Sequence, residues 1–141
     1  MSLSTYLTFD GNCREAFEFY RSVFGGEFQT LQTFADGPPD MPPVPEGEKG
    51  RVMHVSLPVG SSVLMGSDSA TGFGPPVVVG NNFSVSIDVE SRERCDEVFA
   101  ALSAGGKVLM PLQETFWGSY FGHWTDKFGI NWMVSYTLPT E

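Results

Sequence analysis

The chain contains two histidines, and these are its first candidates for chemistry. His54 lies in a segment of alternating apolar and polar residues, on the side shared with Val52 and Ser56, and His123 lies in the segment GHWTD. A histidine in a strand can act as a general base or hydrogen-bond a ligand, or it can be a half-buried structural residue. We take His54 as the candidate for catalysis and ligand binding, and we take His123 as structural.

The motifs of several common enzyme classes are missing from the sequence. Cys13 and Cys95 belong to no CxxC pair or zinc-spaced cluster, which indicates buried, reduced thiols. The alternative, a reactive thiol, has only Arg14 nearby to lower its pKa. Ser61 and Ser62 form no GxSxG nucleophile elbow, and neither a P-loop nor a dinucleotide-binding fingerprint occurs.

A dense aromatic segment is the remaining candidate for a binding surface. It comprises Phe116, Trp117, Tyr120, Phe121 and Trp124. Aromatic rings can stack on a flat or apolar ligand, and they can equally belong to the core or to a subunit interface. We include Trp117 and Tyr120 in the predicted ligand site, and the sequence leaves the other two alternatives open.

Composition limits the classes of protein to which the chain can belong. Its 141 residues suit one domain, with 41% hydrophobic residues and 12 Phe for a core. The net charge of −9 opposes binding to nucleic acid or anionic lipid, which require basic patches. No apolar run reaches the roughly 18 residues of a membrane span, and the N-terminus lacks the pattern of a secretory signal. We therefore expect a cytoplasmic protein without nucleic-acid or membrane partners.

Two predicted helices share one sequence pattern. Asn12 opens an apolar stripe that closes on Gly25-Gly26, and Ser91 opens another that closes on Gly105-Gly106. Glu15 follows Asn12 at the spacing of a capping box. Four apolar pairs recur at an offset of 79 residues: Ala16 with Cys95, Phe19 with Val98, Tyr20 with Phe99, and Val23 with Leu102. The pattern predicts one module used twice, with a cleft between the copies.

Alternating segments predict the strands. They cover residues 51–57, 62–67, 83–89 and 131–136. In residues 83–89 the apolar side should pack on a helix, and the polar side with Ser84 and Ser86 should line the cleft. Met65 and Met133 can soften a pocket for an apolar ligand, or they can be filler. The predicted order is a strand, a helix and three strands, followed by the same again.

Two segments interrupt the strand pattern. Residues 35–50 contain five prolines among acidic residues, and this segment is either a solvated connection or a lid over the cleft. Residues 69–81 form a linker rich in glycine and proline. The linker joins modules at about residues 4–68 and 82–137 within a single domain, 1–141.

Three stretches of the chain resemble a known family. YLTFDGNCREAFEFYRSVFGG, MHVSLPVGSSVLMGSD and FWGSYFGHWTDKFGINWMVSY resemble the PhnB-like branch of the vicinal oxygen chelate superfamily, which also holds glyoxalase I, extradiol dioxygenases and bleomycin- and fosfomycin-resistance proteins. The resemblance implies an α+β fold of two fused βαβββ modules that form an open, mostly antiparallel pair of half-barrels. It also implies a homodimer with its binding site on the concave sheet faces.

Some members of this branch are named demethylubiquinone methyltransferases. The sequence shows no glycine-rich loop between a strand and a helix that could seat S-adenosylmethionine, so it gives no support for methyl transfer.

The metal enzymes of the superfamily take ligands from the first and last strand of each module. Carried over residue by residue, the resemblance places these positions at Thr5, Leu64, Ser84 and Met133. Zinc, iron and manganese need imidazole, carboxylate or thiolate donors, which none of these side chains offers. A shift of one residue in either direction brings in no better donor. We therefore expect no metal and no cofactor.

The sequence thus predicts a small-molecule-binding protein that lacks the metal centre of its superfamily. The predicted lining of the site comprises His54, Leu64, Ser84, Ser86, Trp117, Tyr120 and Met133. One alternative is a metal-dependent lyase or dioxygenase of the same superfamily, with a metal held by His54 and a partner subunit. Another is an interaction unit whose cleft is filled by its own side chains. The ligand, and whether any reaction is catalysed, stay open.

Overall fold

The chain forms two units that share one order of elements. The computed structural model describes residues 1–140, and it separates into Met1–Val78 and a second unit that begins at Val79. In each unit a helix follows the first strand, and three further strands complete a four-stranded mixed sheet. The predicted α+β class and the repeated βαβββ order are confirmed. No helix within residues 1–140 has the length and apolar character to span a membrane.

The first unit packs one helix on one face of its sheet. Its elements are β1 (Thr5–Phe9), α1 (Cys13–Phe24), β2 (Thr30–Thr33), β3 (Val52–Val59) and β4 (Ser62–Asp68). The strand order is β1-β4-β3-β2, with β1 parallel to β4 and the other neighbouring pairs antiparallel. The ring of Phe17 in α1 lies against Gly66 of β4, which has no side chain to keep the helix away.

An apolar core lies between α1 and this sheet. It contains Leu7, Phe9, Cys13, Ala16, Phe17, Tyr20, Val55, Leu57 and Leu64, all of them buried. Burying a large apolar side chain contributes roughly 1.5–3 kcal/mol, so this layer dominates the stability of the unit. Alternation along each strand leaves the opposite face of the sheet to polar and mixed residues.

The N-terminus of α1 is capped differently from the expectation. The side chain of Asn12 makes no capping hydrogen bond, although the helix does begin at Cys13. The buried carboxylate of Asp68 accepts hydrogen bonds from the backbone N–H groups of Gly11 and Cys13, both at 2.9 Å. The first turn of α1 is therefore capped by the carboxylate of Asp68 at the end of β4, in place of the predicted capping box with Glu15.

The second unit repeats the plan with shorter connections. Its elements are β5 (Val85–Asp88), α2 (Arg92–Ser103), β6 (Lys107–Glu114), β7 (Ser119–Thr125) and β8 (Asn131–Thr137). The strand order is β5-β8-β7-β6, with β5 parallel to β8. Ser91 caps α2 as expected, because its hydroxyl accepts a hydrogen bond from the N–H of Arg94 at 3.1 Å. The first strand is shorter than predicted, and Phe83 lies outside it with an exposed side chain.

The proline-rich segment, residues 35–50, is fastened to the first unit. Val44 is buried with Phe34 and Ala70 in a small separate core, against which Met41, Met53 and Phe73 also pack. Both carboxylate oxygens of Glu48 accept hydrogen bonds from Thr71, one from its N–H and one from its hydroxyl, each at 2.8 Å. The segment is therefore anchored to this unit at Val44 and Glu48, while most of its other residues are exposed.

Candidate functional site

The face of the first sheet opposite α1, which we call open face 1, carries polar and mixed side chains. Strand register places Tyr6 of β1 opposite Met65 of β4, and Met65 opposite Ser56 of β3. Residues paired in this way share one face of a sheet, and their side chains interact. The adjacent positions, Leu7 and Gly66, belong to the helix side. Open face 1 therefore contains groups that the core does not use.

Tyr6 and His54 form the most structured contact on open face 1. The hydroxyl of Tyr6 lies 3.2 Å from Nδ1 of His54, within hydrogen-bond distance. The two rings stack with centroids 5.7 Å apart and planes inclined by 24°. Since β4 lies between β1 and β3, this pair reaches across one strand. Tyr6 is 47% exposed and His54 is half-buried, so both rings remain accessible.

Two of the positions carried over from the family, Thr5 and Leu64, lie on the helix side of the first sheet. Leu64 is 5% exposed and lies on the helix side with Gly66, and Thr5 is paired with it. The neighbouring positions, Tyr6 and Met65, are those that lie on open face 1. The buried side chains of β1 determine which residues face outward, because a strand that buries Leu7 must have Tyr6 on its other face.

The face of the second sheet opposite α2, which we call open face 2, contains three of the predicted residues. Register places Ser86 of β5 opposite Met133 of β8, and Met133 opposite His123 of β7. Ser84 continues the same side of β5, and its hydroxyl lies 3.2 Å from Nε2 of His123. Ser84, Ser86 and Met133 thus share one surface, and His123, which the sequence analysis set aside as structural, lies among them.

The aromatic segment divides between three environments. Tyr120 lies on the helix side, where its hydroxyl donates to Asp96 of α2 at 2.7 Å and the guanidinium of Arg92 lies 4.1 Å from its ring centroid. The hydrogen bond to Asp96 raises the pKa of Tyr120. Trp124 is fully buried. Trp117 is 55% exposed in the turn between β6 and β7, and its ring contacts Phe121 at 5.9 Å.

Two of the predicted contact residues, Leu64 and Tyr120, therefore lie on the helix sides of their sheets, away from the open faces. Tyr6 is the residue that the sequence analysis missed. The alternation in β1 could have identified it. Leu7 and Phe9 are apolar and alternate along the strand, so Tyr6 between Thr5 and Leu7 must lie on the opposite face.

The thiols and the acidic groups offer little chemistry at these faces. Burial raises the pKa of Cys13, and burial raises the pKa of Cys95 to about 11, so neither thiol is ionised near neutral pH. Within residues 1–140, the structure brings together no group of three or more His, Cys, Asp or Glu able to hold a metal ion. The chemistry available at the open faces is hydrogen bonding by imidazole and hydroxyl groups, with thioether and aromatic contacts.

Most of the sequence matches a family model. Residues 1–135 fit the family model of 3-demethylubiquinone-9 3-methyltransferase. The chain belongs to this family. Protein YjdN from Escherichia coli (strain K12) is 32% identical to it over 142 residues, which cover 96% of this chain and 95% of YjdN. The PhnB-like resemblance is confirmed, since a similar solved structure is described both by this family name and as a PhnB protein.

Solved structures agree with this assignment. Protein PA1353 from Pseudomonas aeruginosa is 39% identical with a TM-score of 0.87 and covers 99% of each chain. The PhnB protein from Bacillus cereus is 26% identical with a TM-score of 0.75, over 97% of this chain and 100% of that one. A glyoxalase/bleomycin resistance protein/dioxygenase family enzyme from Burkholderia phytofirmans PsJN shares the fold at 19% identity and a TM-score of 0.59, over 95% of this chain and 98% of that one. The fold is therefore glyoxalase-like.

Proposed function

We propose that this member of the 3-demethylubiquinone-9 3-methyltransferase family binds a small organic molecule on open face 1, anchored by Tyr6 and His54. The observation that carries the proposal is their stacked, hydrogen-bonded pair, with 3.2 Å between the hydroxyl and Nδ1. Each group keeps further hydrogen-bonding capacity, since a phenol both donates and accepts and an imidazole has a second ring nitrogen. A ligand with a carbonyl, hydroxyl or carboxylate group matches these partners.

The surroundings of the pair suit an organic ligand. Met65 lies beside Tyr6 on open face 1, is only partly buried, and adds an adaptable apolar contact. Exposed aromatic surface next to fixed polar groups is typical of a ligand site, because the rings provide contact area and the polar groups provide orientation. On open face 2, taken by itself, Ser84, Ser86 and Met133 are also proposed as contacts for a small organic molecule.

Binding without a divalent metal is part of the proposal. The positions carried over from the superfamily's metal ligands are Thr5, Leu64, Ser84 and Met133, and Tyr6 and Met65 are their neighbours on open face 1. Their hydroxyl, phenol, thioether and aliphatic groups are poor donors for zinc, iron or manganese. Binding without methyl transfer is also part of it. The turn from β1 into α1 holds one glycine, Gly11, and its N–H is taken up by Asp68.

We further propose a homodimer in the cytoplasm. β6 is an edge strand of its sheet, and Val108 and Leu109 on it are exposed apolar side chains. Exposed apolar residues along a strand edge are typical of association surfaces. The two free cysteines, Cys13 and Cys95, are compatible with a reducing compartment.

The test begins with ligands that accompany the purified protein. Native mass spectrometry identifies small molecules that co-purify, and NMR titration with these molecules and with a set of small phenols and carboxylic acids maps where they bind. We expect signals of Tyr6, His54 and Met65 to shift. His54→Ala should weaken binding about 5- to 30-fold, since a ligand hydrogen bond to such a group contributes about 1–2 kcal/mol. Its melting temperature should stay close to that of the parent.

The matched control is Ser61→Ala, which removes an exposed hydroxyl from the turn between β3 and β4. It should leave the affinity unchanged. The proposal fails if His54→Ala and Ser61→Ala bind alike, or if every ligand shifts signals away from open face 1. Saturable binding of S-adenosylmethionine at the turn around Gly11 would instead favour methyl transfer.

A further inference from the structure

Open face 2 contains a row of three side chains with soft donor atoms. Strand register places Met110 of β6 opposite His123 of β7, and His123 opposite Met133 of β8. Residues directly opposite each other on adjacent strands have Cβ atoms about 4.5–5.5 Å apart. All three side chains are half-buried. Two thioethers therefore flank one imidazole on a single sheet face.

An irregularity in β6 brings Met110 into this row. Val108 is opposite Trp124, and Met110 is opposite the next residue of β7, His123, so Leu109 has no partner in the register. Such a bulge turns the following side chain to the other face of the sheet. Without it, Met110 would share the helix side with Val108. A second register shift follows between Met110 and Gln113, which confines the change to this position.

The partner of His123 leaves one ring nitrogen available. Ser84 Oγ lies 3.2 Å from Nε2. When Nε2–H donates to this oxygen, the lone pair of the neutral ring is on Nδ1. Imidazoles that ligate metals are held in this way, with the second ring nitrogen hydrogen-bonded to a fixed acceptor.

We propose that Met110, His123 and Met133 bind a soft monovalent metal ion, Cu(I), through two sulfur atoms and one nitrogen. Thioether sulfur and imidazole are donors that select Cu(I), and two or three of them suffice for its low coordination number. The same set rejects Mg²⁺ and Ca²⁺, which require oxygen ligands. The first sheet offers no such row, because Met65 has Tyr6 and Ser56 on either side of it.

The row shares Met133 with the proposed contacts of the organic ligand, but Met110 and His123 are not among those contacts. The ligand proposal is carried by Tyr6 and His54 on the first sheet. The thiols of Cys13 and Cys95 are the competing soft donors in the chain, and both are fully buried. The substitutions below leave them intact, so they separate metal held by the row from metal held by thiols.

The experiment measures metal binding to the full chain without added organic ligand. Under anaerobic conditions, Cu(I) is distributed between the protein and a chromogenic chelator, and Ag(I), a redox-stable analogue, gives the stoichiometry by native mass spectrometry. We expect one ion per chain. Met110→Leu/Met133→Leu should weaken binding at least about tenfold, a loss of roughly 1.4 kcal/mol, while the similar volume of Leu preserves the fold.

The control is Met41→Leu/Met53→Leu, which removes two other thioethers from the small core beside the proline-rich segment. It should bind Cu(I) like the parent chain. NMR should show the ring signals of His123 shifting on addition of Ag(I), and those of His54 staying in place. Equal affinity of the two double variants, or no binding beyond that of the chelator, would overturn the proposal.

Discussion

At the scale of single residues, Asp68 has the largest structural role of any charged group in the first unit. Its side chain is buried, and it accepts from the backbone N–H groups of Gly11, Cys13 and Val52 at 2.8–2.9 Å. These bonds join the turn before α1, the start of the helix and the start of β3 to the end of β4. A buried carboxylate with this many donors is stabilising because each donor would otherwise be buried without a partner.

Asp68→Asn tests this role. The amide keeps one acceptor oxygen and places an NH₂ group against a backbone N–H, so at least one bond is lost and a donor faces a donor. We expect the free energy of unfolding to fall by about 2–4 kcal/mol, measured by urea denaturation. The control is Asp10→Asn, whose side chain is 74% exposed and pairs with Arg51 at 3.0 Å. An exposed pair contributes at most about 1 kcal/mol. Equal losses in the two variants would contradict the assigned role.

Sequence patterns predicted residue roles only where the local chain decides them. Ser91 was identified as a cap because a cap bonds to a residue three positions away. Asp68 could not be identified, since its partners lie up to 57 positions away and meet it only in the folded sheet. The same holds for His123, whose neighbours Met110 and Met133 come from two other strands.

At the scale of elements, contact between helix and sheet depends on a residue without a side chain. A Cβ atom on Gly66 would lie 2.6 Å from a ring carbon of Phe17 and 2.8 Å from the carbonyl oxygen of Leu7. The ring can move, but the carbonyl belongs to the neighbouring strand β1 and is fixed by the ladder. The glycine therefore sets how closely α1 approaches the first sheet.

Gly66→Ala should destabilise the protein by roughly 1–3 kcal/mol, because an extra methyl group in a filled layer forces the backbone to shift. Thermal unfolding followed by circular dichroism measures the change. Gly47→Ala is the matched control, since a Cβ atom there has no neighbour within 4 Å. That variant should unfold at the parent temperature or slightly above, because alanine restricts the unfolded chain. A Gly66→Ala variant as stable as the control would show that α1 adjusts without cost.

The alternation of side chains between the two faces of a strand explains where the prediction of facing residues succeeded and where it failed. In β5 the apolar and polar residues alternate, and Ser86 was assigned to the face opposite α2, where it is paired with Met133. In β4 the sequence SVLMGSD has apolar residues at consecutive positions, so alternation gives no phase, and Leu64 was assigned to the face that Met65 occupies. In β6 the register shifts interrupt the alternation of side chains between the two faces, so the sequence does not show which face each residue occupies.

At the scale of the whole molecule, the repeat was the strongest signal in the sequence. α1 spans Cys13–Phe24 and α2 spans Arg92–Ser103, so both ends differ by the offset of 79 that the apolar pairs had shown. The offset held because both helices bury the same stripe on a sheet, which fixes their length and spacing from the first strand. The offset of 79 residues does not relate the later strands of the two units, because the proline-rich segment, residues 35–50, lengthens the first unit alone.

The exposed edge of the second sheet gives the prediction for the assembled protein. β6 pairs with β7 on one side and has no described partner strand on the other, and Val108 and Leu109 are 45% and 42% exposed. Light scattering after size exclusion should give twice the chain mass of 15.4 kDa. Val108→Glu/Leu109→Glu should give the mass of one chain, because two carboxylates oppose association of an apolar edge in a chain that already carries a net charge of −9. Ala100→Glu, on the exposed side of α2, adds a carboxylate elsewhere and should keep the dimer mass.

A parent chain that elutes with the mass of one copy would contradict the proposed dimer. The edge of β6 would then be protected from pairing, and Pro111 within that strand provides the physical reason, because proline cannot donate a hydrogen bond to a neighbouring strand.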